Sequence, residues 1–154
     1  MRKILVGLMT LAAVCSYGAE AELEVYHQVP EVLEVKFAES GQDEVILSKN
    51  IKTGENNFDL VVKSNSHDVI NKAHIEYEVD GQNLDGVGSD TFNMVHEEVA
   101  EESIEVVFDR VGLVSGEEPN IYRQRLNITL PEENTQEKIH GMYSTILKTT
   151  VTIN

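Results

Sequence analysis

The sequence predicts an all-β domain, an antiparallel β-sandwich. Apolar residues recur at every second position in about seven short segments. Turn-forming residues separate those segments, and the segments themselves are rich in Val, Ile and Thr, whose branched side chains suit a pleated, half-buried surface. Apolar-in, polar-out alternation of this kind belongs to antiparallel sheets that pack one face on a core and solvate the other.

Each element follows from its own pattern. Leu23, Val25, His27 and Val29 share one face, against Glu22, Glu24, Tyr26 and Gln28, and Pro30 interrupts. Leu33, Val35 and Phe37 alternate with Glu34 and Lys36 up to a turn at Ser40-Gly41. Phe58, Leu60 and Val62 alternate after the turn-like Thr53-Gly54-Glu55-Asn56-Asn57. Ile75, Tyr77 and Val79 alternate with Glu76 and Glu78, and Asp80-Gly81 is a hairpin signal. Ile104, Val106 and Phe108 form another set; Leu126, Ile128 and Leu130 form one more, ended by Pro131. The last strand reads as a single long one: Tyr143, Leu147, Val151 and Ile153 share a parity, with Thr145 and Thr149 between them. Residues 92–103, with Met94, Val95, Val99 and a cluster of Glu, break the pattern and read as a short helix or a crossing loop at the sandwich edge.

The N-terminus reads as a secretory signal. Arg2 and Lys3 are a positive n-region, residues 4–14 an apolar run, and Ala19-Glu20-Ala21 a small-x-small cleavage site. The run is shorter than the roughly 20 residues that span a bilayer. Cys15 follows Leu11-Ala12-Ala13-Val14, but branched Val14 precedes it where a lipidation signal carries a small residue. The expected organisation is a signal peptide over residues 1–21, a free strand over 22–30 and a sandwich over 31–154. Cys15 is the only cysteine, so residues 22–154 have no disulfide to lean on. The chain has 12 Lys and Arg against 27 Asp and Glu, a net charge of −15. A surface this negative repels nucleic acid and anionic lipid.

No chemistry-bearing motif emerges. His96-Glu97-Glu98 begins like a zinc-protease helix, but Ala100 stands where the second histidine is required. Histidines 27, 67, 74, 96 and 140 lack metal-ligand spacing. Asp80, Asp85 and Asp90 are too widely spaced for a calcium loop and read as a polar hairpin region. The sequon Asn127-Ile128-Thr129 lies inside a predicted strand. There is no cysteine nucleophile beyond the signal, no Gly-x-Ser-x-Gly elbow and no phosphate loop. The expectation is a protein that is not an enzyme, with no cofactor, no metal and no catalytic residues.

The strand over residues 22–29 has a different character. Pro30-Glu31 is too short to reverse it into a hairpin with the next strand. It crosses to another sheet or leaves the domain. A free alternating strand is suited to extending a neighbour's open sheet edge, with alternate side chains filling pockets.

Several stretches resemble one family. They are the N-terminal alternating strand followed by Val29-Pro30-Glu31-Val32-Leu33, and Ile75-Glu76-Tyr77-Glu78-Val79-Asp80-Gly81-Gln82. A third is Gln124-Arg125-Leu126-Asn127-Ile128-Thr129-Leu130-Pro131, followed after a polar loop by Gly141-Met142-Tyr143-Ser144 and a final alternating strand. With the cysteine-free body, these resemble the major subunits of colonization factor antigen fimbriae, assembled by the alternate chaperone–usher pathway. The resemblance implies an incomplete immunoglobulin-like antiparallel β-sandwich with an N-terminal donor strand. It implies export through the inner membrane, a periplasmic chaperone, an outer-membrane usher, and neighbouring copies joined head to tail in a cell-surface fimbrium, with a tip adhesin as a further partner. Leu23, Val25, His27 and Val29 would form the donor face, and Pro30 the stiff hinge. Tyr143, Leu147 and Val151 are the candidates for a groove wall. His27 departs from the apolar residue expected at its place, and the chain is more acidic than such subunits. The alternative is a monomeric secreted or periplasmic sandwich that binds a ligand or partner.

Overall fold

The computed structural model describes residues 23–85 and 90–154; the expected signal peptide and Glu22 lie outside the described residues. By its contacts the chain divides between Pro30 and Glu31. In the first unit, residues 23–30 have neither helix nor strand and are exposed throughout.

The second unit is built from β1 (Leu33–Glu39), β2 (Gly54–Ser64), a one-turn helix α1 (Val69–Lys72), β3 (Ala73–Val79), β4 (Gln82–Leu84), β5 (Asp90–His96), β6 (Ser103–Arg110), β7 (Val114–Ser115), β8 (Ile121–Leu130), a 3-10 turn (Glu132–Asn134), β9 (Tyr143–Ser144) and β10 (Leu147–Ile153). The strands form two antiparallel sheets. The larger has seven strands in the order β1-β2-β8-β6-β5-β9, with β7 beside β8; the smaller has three in the order β10-β3-β4.

The two sheets share one core. Phe58, Leu60, Val62, Phe92, Ile104, Val106, Phe108, Leu126, Ile128 and Leu130 come from the larger sheet, and Ile75, Tyr77, Val79 and Leu84 from the smaller. These are largely the residues whose alternation predicted strands. The Tyr77 and Phe108 rings, one from each sheet, meet with centroids 5.2 Å apart. β2 is buried on both faces: Asp59 and Val61, which point away from the core, are 3% and 2% exposed. The β3–β4 hairpin has the expected two-residue turn, with Asp80 at φ 48° and Gly81 at φ 80°. Positive φ at both positions is the geometry whose twist matches the flanking strands.

Two expectations are corrected. Residues 92–103 are neither helix nor crossing loop. Their first half is in β5, which pairs with β6 in the register Phe92↔Val106 and Met94↔Ile104. The Glu-rich segment is the hairpin's connection. The inward residue that completes β5's alternation is His96, 4% exposed. Its Nδ1 accepts backbone N–H bonds from Glu98 at 3.0 Å and Val99 at 3.1 Å, which satisfies its polarity inside the fold.

The final strand, expected to be continuous from Tyr143, is two strands. β9 pairs with β5 through Val95↔Ser144 and His96↔Tyr143 in the larger sheet. β10 pairs with all of β3 in the smaller sheet. The chain changes sheets at residues 145–146, where the Thr145 hydroxyl lies 3.4 Å from the Asp80 carboxylate at the β3–β4 turn. His96 anchors the approach to this crossing. Its ring meets Tyr143 edge-on at 4.9 Å, and its Nε2 lies 3.3 Å from the His140 carbonyl. Gly141 is packed so closely that a Cβ there would collide with the imidazole. Gly141→Ala is therefore expected to destabilise the domain by about 2 kcal/mol through overpacking. Urea unfolding followed by circular dichroism checks this.

Candidate functional site

The two edge strands β1 and β10 show the same anomaly. On β1, Leu33, Val35 and Phe37 sit directly opposite Ser64, Val62 and Leu60 of β2. Residues directly opposite in a ladder share a face, so all six point toward the core side of the sheet. Yet Val62, Leu60 and Ser64 are fully buried, while Leu33 and Val35 are 41% and 39% exposed. Phe37 is half-buried and packs edge-on against Phe58, with centroids 6.1 Å apart. The layer that covers β2 thus stops short of the outer part of β1.

On β10, Leu147, Thr149 and Val151 sit opposite Val79, Tyr77 and Ile75 of β3. Those three partners are buried; Leu147, Thr149, Val151 and Ile153 are only half-buried. Leu147 and Val151 pack on the rim of the core. Among the described residues β10 pairs with β3 alone, so its other side carries no ladder. β1 is partly closed along its outer side, where the chain turns back to make an Ala38↔Val45 bridge and an Ile46 N–H bond of 2.9 Å to the Phe37 carbonyl. The Leu33–Lys36 part lies beyond that cover. Open edges with apolar inner faces are aggregation hazards unless something adds to them.

The residues singled out from sequence fall in three places. Leu23, Val25 and Val29 are 85%, 83% and 67% exposed, and His27 and Pro30 are exposed as well. Leu147 and Val151 lie on β10. Tyr143 lies on β9, at the end of the larger sheet remote from β1, and its hydroxyl donates to the Ile139 carbonyl at 3.0 Å. Sequence reasoning did not single out Leu33 and Val35 as site residues. Their alternation is that of any half-buried strand, and only the exposure of their core-side surface marks them.

Behind β10 runs a polar chain through the core. The Tyr77 hydroxyl donates to Gln124 Oε1 at 2.6 Å, and Gln124 Nε2 donates to the Val111 carbonyl at 2.7 Å. The Arg110 guanidinium lies 5.2 Å from the centre of the Tyr77 ring and donates to the Ile75 carbonyl at 2.9 Å. Thr149 stands opposite Tyr77 in the β10–β3 ladder, and its hydroxyl donates to the Glu76 carbonyl at 3.1 Å. Burial pushes the Tyr77 phenol well above its ordinary value, against the opposing pull of Arg110 and Thr149. On the opposite face of the larger sheet, a groove of about 1,090 Å³ is lined in part by Lys36, Lys63, Arg123 and Arg125, with Asp59 and Asp43. Asp59 holds it together: its carboxylate lies 3.5 Å from Arg123 and 3.6 Å from Arg125, and it accepts the Gly41 N–H at 2.9 Å. Arg123 also pairs with Asp43 and donates to the Gln42 carbonyl at 2.9 Å, pinning the turn after β1 onto the sheet.

Two outcomes follow. The unfolded chain releases the Tyr77 proton near pH 10.0, whereas the folded chain holds it to higher pH. Stability is therefore full below about pH 10 and declines as the pH rises beyond it. Tyr77→Phe should lose about 1 kcal/mol at neutral pH and show a shallower alkaline decline, read from melting curves at stepped pH. Asp59→Asn weakens the clip on the β1 turn and should cost about 2 kcal/mol, measured by chemical denaturation at neutral pH.

Among the described residues no helix is long and apolar enough to cross a membrane. No family model, no curated protein and no solved structure matches the chain.

Proposed function

We propose that this chain is a structural fimbrial subunit that polymerises by strand exchange, after export and delivery by a periplasmic chaperone and an outer-membrane usher. Its body is read as an immunoglobulin-like sandwich that lacks one strand of the smaller sheet. The observation that carries the reading is the matched exposure of core-facing side chains on β1 and β10, beside buried partners one strand further in. One additional strand along β10 would extend the three-stranded sheet and cover the inner faces of both edges. The segment offered for that place is residues 22–29 of a second copy, whose alternate side chains Leu23, Val25 and Val29 are exposed. Each such side chain, once buried, contributes about 1.5–3 kcal/mol. Pro30 limits the joint between strand and body, because its ring fixes φ. Pairing of this kind is head to tail and does not close, so it builds a linear fibre. The resemblance to colonization factor antigen subunits supports the same reading, with a tip adhesin as a separate partner.

The alternative is a monomeric secreted or periplasmic binding module. It draws on the charged groove around Asp59, which is large enough for a small ligand. Deletion of residues 22–30, expressed with the chaperone and usher, separates the two. The truncated subunit is expected to fold with the chaperone and to form no fibres by electron microscopy. Normal fibres from it would refute strand exchange. A wild-type protein that is a stable monomer by light scattering without any chaperone would favour the binding module.

A further inference from the structure

The strand-exchange reading leaves the register open, and the side chains restrict it. On β10 the positions facing the core side are Leu147, Thr149, Val151 and Ile153, so one polar residue interrupts an apolar row. On the N-terminal segment the alternating row is Leu23, Val25, His27 and Val29, again with one polar residue. Resting on that reading, we infer that the segment of one copy binds antiparallel to β10 of the next, with His27 opposite Thr149.

In that register Val29 lies opposite Leu147, Val25 opposite Val151, and Leu23 opposite Ile153. Every apolar side chain meets an apolar one, and the two polar ones meet each other. Side chains directly opposite in an antiparallel pair have Cβ atoms about 5 Å apart, within reach of an imidazole–hydroxyl hydrogen bond. The other registers fail on the same residues. A two-residue slip puts His27 opposite Leu147 or Val151 and leaves Thr149 facing an aliphatic side chain. A one-residue slip turns the whole apolar row to the outer face. A parallel strand with His27 opposite Thr149 places Leu23 opposite Thr145, beyond the end of β10, and leaves Ile153 uncovered.

Thr149 is not an isolated hydroxyl. It donates to the Glu76 carbonyl and stands opposite Tyr77, whose hydroxyl donates to Gln124 and through it reaches the Val111 carbonyl. The Thr149 oxygen can still accept a hydrogen bond from His27, and a buried imidazole needs such a partner. A single polar match in an otherwise apolar row fixes register at some cost in tightness, as a lone buried polar residue does in a helical zipper. On this account the histidine selects one alignment of donor and acceptor.

The absence of cysteine from residues 22–154 makes the register directly measurable. Subunits carrying Val25→Cys with Val151→Cys, assembled with the chaperone and usher and then oxidised, should give a ladder of covalent multimers on a non-reducing gel. Opposed residues of an antiparallel pair have Cα atoms roughly 4.5–5.5 Å apart, within the span a disulfide bridges. Val25→Cys with Ile153→Cys and Leu23→Cys with Val151→Cys report the slipped registers. Val25→Cys with Leu147→Cys reports the parallel strand. All of these pairs leave His27 and Thr149 in place. A ladder from the 25/151 pair alone supports the register. Fibres that form without it, or that cross-link through another pair, overturn the register while leaving strand exchange standing. Absence of fibres from the wild-type subunit overturns both.

A second readout concerns the polar match itself. Fibre dissociation rates of His27→Leu, Thr149→Val and the double variant form a double-mutant cycle, and the double is expected to depart from additivity by about tenfold. Additive rates would show that the two side chains do not meet.

Discussion

Val62 of β2 is fully buried, and Val35, directly opposite it on β1, is 39% exposed. Ile75 and Tyr77 of β3 are buried, while Val151 and Thr149 beside them on β10 are half-covered. Both contrasts have one origin: a three-stranded sheet shares its core with a seven-stranded one. Sheet packing buries side chains only where both layers are present. The interior strands β2, β3, β6 and β8 receive full cover; β10, at the edge of the narrower layer, and β1, at the edge of the wider one, do not. Apolar side chains at those edges keep a cost that each copy cannot remove from its own three strands. The proposed function and the inferred register are both ways of removing it.

Much of this was legible in the sequence. β1, β2, β3, β6 and β8 follow from period-two alternation, and the Asp80-Gly81 hairpin from the backbone freedom that its turn requires. β5 was not legible because its inward row ends in His96, which reads as a surface residue. Inside the fold its nitrogens find backbone partners from the next turn and from residue 140, so it is buried without an unpaired polar atom. The division of the last strand was also hidden. No Gly or Pro separates Ser144 from Leu147, and parity runs unbroken through the crossing. What separates β9 from β10 is tertiary: β5 captures one and β3 the other. The candidate site was half legible, because alternation marks Leu147 and Val151 as inward-facing. That Leu33 and Val35 are uncovered surface depends on how many strands lie in the opposite layer, which no local pattern encodes.

Away from the edges of β1 and β10, polar groups tie the domain down. Arg123 and Arg125 converge on Asp59 and hold the turn after β1 against the outer sheet face. Gln124, between those two arginines in sequence, points to the other face and joins Tyr77 across the core. β8 thus carries one clip on each side of the sheet. A cysteine-free body has no covalent staple, and such charge-assisted and buried hydrogen bonds take on the task of fixing how the strands sit.

The acidity fits this arrangement. A net charge of −15 opposes, on average, the approach of two copies. The solvent side of β10 adds Lys148, and that of β1 adds Glu34 and Lys36, charges of the kind that discourage casual edge pairing. Association then requires an attraction large enough to exceed a general repulsion, and a complete apolar row in register supplies more of it than any slipped alignment. Under strand exchange, surface charge and groove chemistry act in the same direction. One raises the threshold for every contact, and the other lets one contact pass it.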